Sequence, residues 1–171
     1  DQAKDGIITS RMKQVAEKEG VDPDLLCHGI AQGCAVVMQR GERCTGIGRG
    51  LSTKINVNLG TSKGKVSPKE EIRKARIAED FGADTISDLS MGGDISAIRR
   101  EILACTTLPV TTVPVYQAVV ENGRKTMTAD DILSTLEMPA AQGISSLVIH
   151  CASRKLLAGF RKQTTRLVGM V

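Results

Sequence analysis

The chain has 171 residues, 41% hydrophobic and 25% charged, with a formal net charge of +4 at pH 7, a mixture that suits a globular fold. Aromatic residues make up only 2% (Phe81, Phe160 and Tyr116, with no tryptophan), too few platforms for a single-strand nucleic-acid reader, and the small, dispersed charge does not point to a polyanion. No apolar run reaches the roughly 18 residues of a membrane span, and residues 1–6 lack the basic start and apolar core of a secretory signal, so neither a nucleic-acid nor a membrane partner is expected.

In chain order, the first 45 residues read as a helical lead-in. Thr9 or Ser10 opens a helix through Val15 and Ala16 that closes at Gly20, and Asp22 with Pro23 starts a second that ends near Gly33. A strand-like stretch, 35–38, follows. Gly46, Gly48 and Gly50 form a GxGxG run, but it precedes a strand where the dinucleotide fingerprint would follow one, so it reads as a turn.

From residue 46 on, strand-like runs at 54–59, 84–89, 108–113, 145–150 and 166–171 alternate with helical signals, the mark of a parallel α/β sheet or barrel. Ser67, Pro68 and Glu70 predict a capping box with proline at the first helical position, Ile72, Ala75, Ala78 and Phe81 an apolar stripe, and Gly82 a left-handed stop. Asp94 caps a helix carrying Ile98 and Ile102. Thr128 or Asp130 starts another that holds Leu133 and Leu136 and stops by Gly143, with Pro139 predicting a kink or an early end.

The cysteines, Cys27, Cys34, Cys44, Cys105 and Cys151, are odd in number and irregular in spacing. That is a poor disulfide framework and suits a reducing cytoplasm. There is neither a CxxC pair nor the CxxxCxxC run of most radical S-adenosylmethionine enzymes, and each cysteine reads first as a small buried apolar residue.

Parallel α/β folds gather their chemistry beyond the carboxyl ends of the strands. Those positions hold Asn58, Asp88, Tyr116 and His150. Singly, each has a structural role open to it: turn former, helix cap or buried hydrogen-bonding group. Together on one rim they read equally as a site. The loops 60–62 and 92–93 follow strands and could offer backbone N–H groups to an anion.

These same segments resemble the phosphomethylpyrimidine synthase family of thiamine biosynthesis. The resemblance runs through 46–62 (GIGRGLSTKINVNLGTS), 75–85, the DLSMGGD loop at 88–94, VPVYQA at 113–118, and Ile149 with His150, in matching order across the whole chain. It implies the front part of a (β/α)8 barrel behind a helical lead-in, with residues 1–45 as the lead-in and 46–171 as a partial barrel of about five strands. It further implies a radical S-adenosylmethionine carbon–carbon lyase that rearranges aminoimidazole ribotide into hydroxymethylpyrimidine phosphate. By motif, Asn58, Tyr116 and His150 are implied substrate-binding positions, and no catalytic residue is assigned.

Two departures from the family pattern stand out. Where the family usually places a substrate-contacting methionine, before the Asp-Leu-Ser run, this chain has Ser87, a smaller and more polar group. Ser87 is therefore added to the substrate-binding set, and it raises the family's 5-hydroxybenzimidazole synthase paralogue of anaerobic cobamide synthesis as an alternative. The chain also stops before the family's later phosphate-binding run, its metal-binding histidines, and the CxxCxxxxC segment that holds the [4Fe–4S] cluster. S-adenosylmethionine, the cluster and a divalent metal are thus implied, with their ligands outside this chain. The 171 residues alone are expected to be inactive. They are expected to be completed by a C-terminal half or by pairing as a homodimer, since an open partial barrel leaves two sheet edges bare; a second alternative is a non-catalytic truncated relative that pairs with another chain.

Overall fold

The computed structural model describes residues 2–122 and 128–149. The predicted strand at 166–171 and the site residue His150 therefore lie outside the described residues.

The lead-in forms as its caps dictate. Helix α1 (Ser10–Glu19) starts at Thr9, whose side chain accepts from Met12 N, and ends at Gly20 with φ 66°. Helix α2 (Pro23–Ala31) starts at Asp22, which accepts from Asp24 N and Leu25 N, with proline in its first turn. Strand β1 (Ala35–Arg40) then pairs antiparallel with β2 (Arg43–Gly48). This hairpin runs across residue 45 and overturns the reading of the GxGxG run as a turn. Gly46 and Gly48 are strand residues opposite Val37 and Ala35, and only Gly50 lies in the following turn, with φ 82°. The physical reason is close approach: a Cβ on Gly46 would meet Val15 Cγ1 at 2.4 Å. Val15, Ala16, Leu26, Cys27, Ala35 and Cys44 make this unit's own core.

The second unit is a parallel sheet in sequential order, β3 (Asn56–Leu59), β4 (Thr85–Asp88), β5 (Val110–Thr112) and β6 (Ser146–Leu147). Helices α3 (Pro68–Asp80), α4 (Ile95–Cys105), α5 (Pro114–Asn122) and α6 (Ala129–Ala141) connect the strands. Sequential order with helical crossovers is the arrangement of an α/β fold whose strands advance in one direction. Leu59, Ile86 and Val110 pack with Ala75, Ala78, Ile98 and Ile102 in one core between sheet and helices. Because side chains alternate along a strand, the residues between them face the other way, and that face is polar.

Several local expectations hold. Asp94 caps α4 by accepting from Ala97 N, Thr128 and Asp131 form a capping box on α6, and Gly82 and Gly143 follow their helices with positive φ. Others fail. Ser67 makes no side-chain cap bond, and the Glu70 carboxylate pairs with Lys65 at 2.8 Å. Phe81 is 86% exposed; it lies one residue beyond α3, and the buried stripe is completed by Glu71. On α6 it is Thr135 and Pro139 that are buried while Leu133 is exposed, and of the kink or early end expected at Pro139 the early end does not occur, since the helix continues to Ala141.

The lead-in is fastened to the sheet unit by polar links. Arg40 donates to the carbonyls of Leu103, Thr106 and Leu108, supplying donors where α4 runs out of them. Lys54, just before β3, pairs with Glu19 at the end of α1 at 3.0 Å, both side chains buried.

Candidate functional site

The polar face is built by register. Asn58, Ser87, Thr111 and Ser146 stand opposite one another across the four parallel strands. Asn56 and Thr85 form the row beneath. These groups satisfy each other: Asn56 Nδ2 donates to Asn58 Oδ1 at 2.9 Å. Thr85 Oγ1 and Ser87 Oγ both donate to Asn56 Oδ1, at 2.9 and 3.0 Å, and the Thr111 and Ser146 hydroxyls bond at 2.6 Å. Asn56 and Asn58 are exposed, Ser87 and Ser146 half-buried, Thr85 and Thr111 buried. The sequence reading missed Asn56, Thr111 and Ser146; the strict alternation in 56–59 carried the signal for Asn56.

Tyr116 sits in the first turn of α5, directly after β5, where its N–H donates to the Val113 carbonyl at 3.0 Å. Because the strands are parallel, this is the carboxyl-end side on which Asn58 and Ser87 also lie. The structure thus brings Asn58 and Ser87 side by side and places Tyr116 at the same end of the sheet.

Asp88 does not join them. Its carboxylate points to the helix side, where Oδ1 accepts from Ser90 N at 3.0 Å and Ser90 Oγ at 2.6 Å, and Oδ2 faces Arg99 Nε at 3.9 Å. Alternation puts Asp88 on the opposite face from Ser87, and the carboxyl is buried beneath α4. Burial pushes it up against the opposing pull of the Ser90 bonds and Arg99.

The loop after β3 is not an open anion cradle either. Gly60 N donates to the buried Glu71 carboxylate at 2.7 Å, Thr61 N to Ser90 Oγ at 3.3 Å, and Met91 N to the Thr61 carbonyl at 2.8 Å. The Thr61 hydroxyl donates to the Gly92 carbonyl at 2.6 Å. The loops after β3 and β4 are stitched to each other, and their anion is the protein's own Glu71. Gly60 permits this with φ 141°; a Cβ there would meet Ser90 N at 2.5 Å.

The iron–sulfur cluster and divalent metal implied by the resemblance find no fit among the described residues. No three His, Cys, Asp or Glu side chains there converge on a point that could hold a metal ion. Cys27 donates weakly to the Ala3 and Ile7 carbonyls at 3.7 and 3.8 Å, Cys44 is buried in the lead-in core, and Cys34 is exposed. Cys151 lies outside the described residues. No chemical step is therefore drawn through the cluster or the metal. Among the described residues no helix is long and apolar enough to cross a membrane.

Comparison with known proteins matches the chain to a family. The model of the Radical SAM ThiC family matches residues 1–171. A phosphomethylpyrimidine synthase of Dehalococcoides mccartyi is 42% identical over 172 residues, 95% of this chain and 40% of the relative. A phosphomethylpyrimidine synthase of Thermus thermophilus is 43% identical over 157 residues, 86% of this chain and 36% of the relative. A 5-hydroxybenzimidazole synthase of Geobacter sulfurreducens is 38% identical over 180 residues, all of this chain and 41% of the relative. The chain spans about two fifths of the length of these curated relatives. With the family model matched from end to end, the chain belongs to the Radical SAM ThiC family.

Proposed function

We propose that this chain supplies substrate-holding strands of a radical S-adenosylmethionine lyase that rearranges aminoimidazole ribotide to hydroxymethylpyrimidine phosphate. The observation that carries the reading is the polar row Asn58–Ser87–Thr111–Ser146 at the carboxyl ends of parallel strands, with Tyr116 at the same end. An amide, several hydroxyls and a phenol are the groups that hold an azole and a ribose by hydrogen bonds, and holding them still is what a migrating radical requires. His150 completes the proposed set by motif. In this reading an iron–sulfur cluster, for which the described residues offer no ligands, would supply the radical chemistry. The chain's own part is to bind, orient and exclude water.

Support for preorganisation comes from the side-chain network. Asn56 is fixed by two hydroxyl donors and in turn fixes Asn58, so Asn58 meets its ligand with little freedom left to lose. The test is an anaerobic assay of the gene product that carries this chain, with the ribotide, S-adenosylmethionine and a reductant. Formation of the pyrimidine phosphate, identified by mass, supports the reading; a folded, cluster-loaded protein that leaves the ribotide unchanged refutes it.

Ser87 favours a second reading, in which the same ribotide becomes 5-hydroxybenzimidazole. Its hydroxyl is turned to the polar face and donates to Asn56 Oδ1 at 3.0 Å, where a methionine would put an apolar thioether. The Geobacter relative bears the name of that activity. The same assay separates the two, because the bicyclic product differs in mass. If Ser87→Met leaves the product ratio unchanged, Ser87 does not select the product.

We propose that the enzyme acts in the cytoplasm, without nucleic acid or membrane. Its sheet edges would be covered by the rest of the protein or by a second copy. Sedimentation of the gene product carrying this chain, with and without that remainder, distinguishes the two.

A further inference from the structure

A buried polar network lies behind the proposed site, and one residue is its hub. Arg99 on α4 is fully buried. Its Nη2 donates to Gln117 Oε1 at 2.6 Å and its Nη1 to Gln142 Oε1 at 3.1 Å. Its Nε faces Asp88 Oδ2 at 3.9 Å, and neither of those two atoms has a hydrogen bond. Gln117 passes the link on to Glu121 at 2.7 Å, and Gln142 to Ser96 at 2.8 Å. Burying a guanidinium is costly, and among hydrophobic alternatives of equal size a stability role alone is weakly served by it.

The three partners are informative by position. Asp88 follows Ser87 on β4, Gln117 follows Tyr116 on α5, and Gln142 closes α6 just ahead of β6, which carries Ser146. One planar fork therefore engages the side chains that follow Ser87 and Tyr116 in sequence, and the end of α6 four residues ahead of Ser146. We infer that Arg99 is a positioning residue, which sets the placement of Tyr116 and Ser87 for the ribotide from the opposite side of the sheet. The inference rests on the proposed substrate reading. It assigns Arg99 no contact with substrate.

Geometry also says why lysine would not serve. The guanidinium offers two donors splayed at a fixed angle to Gln117 and Gln142, plus a third group toward Asp88, whereas an ammonium is a single point on a flexible stem. Arg99→Lys keeps the charge opposite Asp88 and loses the fork. Gln142→Ala, at a half-buried position, frees one arm of the fork with less risk to folding.

Tyr116 makes the test direct, because it is the single tyrosine of a chain without tryptophan. In the gene product carrying this chain its labelled ring resonances, assigned by their loss in Tyr116→Phe, report one side chain. Expected for Arg99→Lys and Gln142→Ala are displaced or broadened Tyr116 signals while the lead-in methyl signals stay in place. In the gene product carrying the chain, Arg99→Lys should weaken ribotide binding about tenfold, and adding Tyr116→Phe should weaken it by less than about threefold more. Unmoved ring signals in either folded variant overturn the inference, and so do two substitutions whose effects on affinity simply multiply. If Arg99→Lys does not fold, Gln142→Ala decides by the same criteria. Ring signals that respond to Arg99 in a protein that binds no ribotide would leave the linkage standing and sink the substrate reading instead.

Discussion

Glu19 and Lys54 provide the sharpest test of how the two units are joined. Glu19 ends α1, Lys54 leads into β3, and their charged groups meet at 3.0 Å with side chains 4% and 7% exposed. Burial alone would raise the Glu19 carboxyl, but the Ser52 N–H at 2.8 Å and the Lys54 ammonium overcome it and hold the group down to about 2. A carboxyl whose pKa is depressed in the folded state stabilises the fold above its unfolded value, and the contribution is lost as pH falls through the folded one. Here that window runs from the ordinary 4.5 down to about 2, and the contribution at neutral pH comes to ~3 kcal/mol. Glu19→Gln keeps the shape and can still accept from Ser52, but it leaves the Lys54 ammonium with only the Ser52 carbonyl and hydroxyl. Urea unfolding should place the variant ~3 kcal/mol below the parent chain at pH 6. The gap should close to under about 1 kcal/mol near pH 2, where the parent's own carboxyl is half protonated. A gap that stays constant across that range, or none at pH 6, would refute the assignment of the depressed carboxyl to this pair.

Other outcomes follow from the packing and the polar face. Gly46→Ala should cost about 1–3 kcal/mol in unfolding free energy, since its Cβ would lie 2.4 Å from Val15 Cγ1 and 2.9 Å from Leu51 Cδ1; adding Val15→Ala should recover part of that loss. Asp94→Ala should cost about 1 kcal/mol by leaving Ala97 N without its 2.8 Å acceptor, read as a lower urea midpoint at unchanged slope. Asn58→Ala and Tyr116→Phe should each weaken ribotide binding about tenfold by calorimetry while thermal midpoints stay within a few degrees. His150→Ala is expected to act in the same direction.

Much of the fold is legible in the letters because its signals are local. Asp22 with Pro23, Asp94, and Thr128 are side chains whose preferred bonds lie within one turn, and all three start helices as read. What misled were residues whose partners lie outside their own helical turn or strand. The glycine run looks like a turn until Val15 from α1 is seen pressing on Gly46, and Glu70 looks like a capping-box residue until Lys65 takes its carboxylate. Phe81 fits a helical stripe by spacing, yet the helix ends at Asp80, just before the stripe reaches it. The site shows the same division. Asn58 and Ser87 could be paired only through register, and Asp88 could be removed from the rim only through alternation. The reading of a rim by strand ends alone cannot tell adjacent residues with opposite directions apart.

That opposition is also how one sheet serves two purposes. Each strand end contributes one residue to each face: Asn58 and Leu59 from β3, Ser87 and Asp88 from β4, Thr111 and Thr112 from β5. On one side Asn56, Asn58, Thr85 and Ser87 bond one another in an open polar row; on the other, Leu59, Ile86 and Val110 bind the helices. Asp88, buried on the helix side with Ser90 as its hydrogen-bond donor, lies 3.9 Å from the fork that reaches Gln117 beside Tyr116. A core built for stability alone would place an apolar residue there. The polar pair is better understood as a mechanical tie between the face that packs and the face that binds, with displacement on one side bounded by hydrogen bonds on the other.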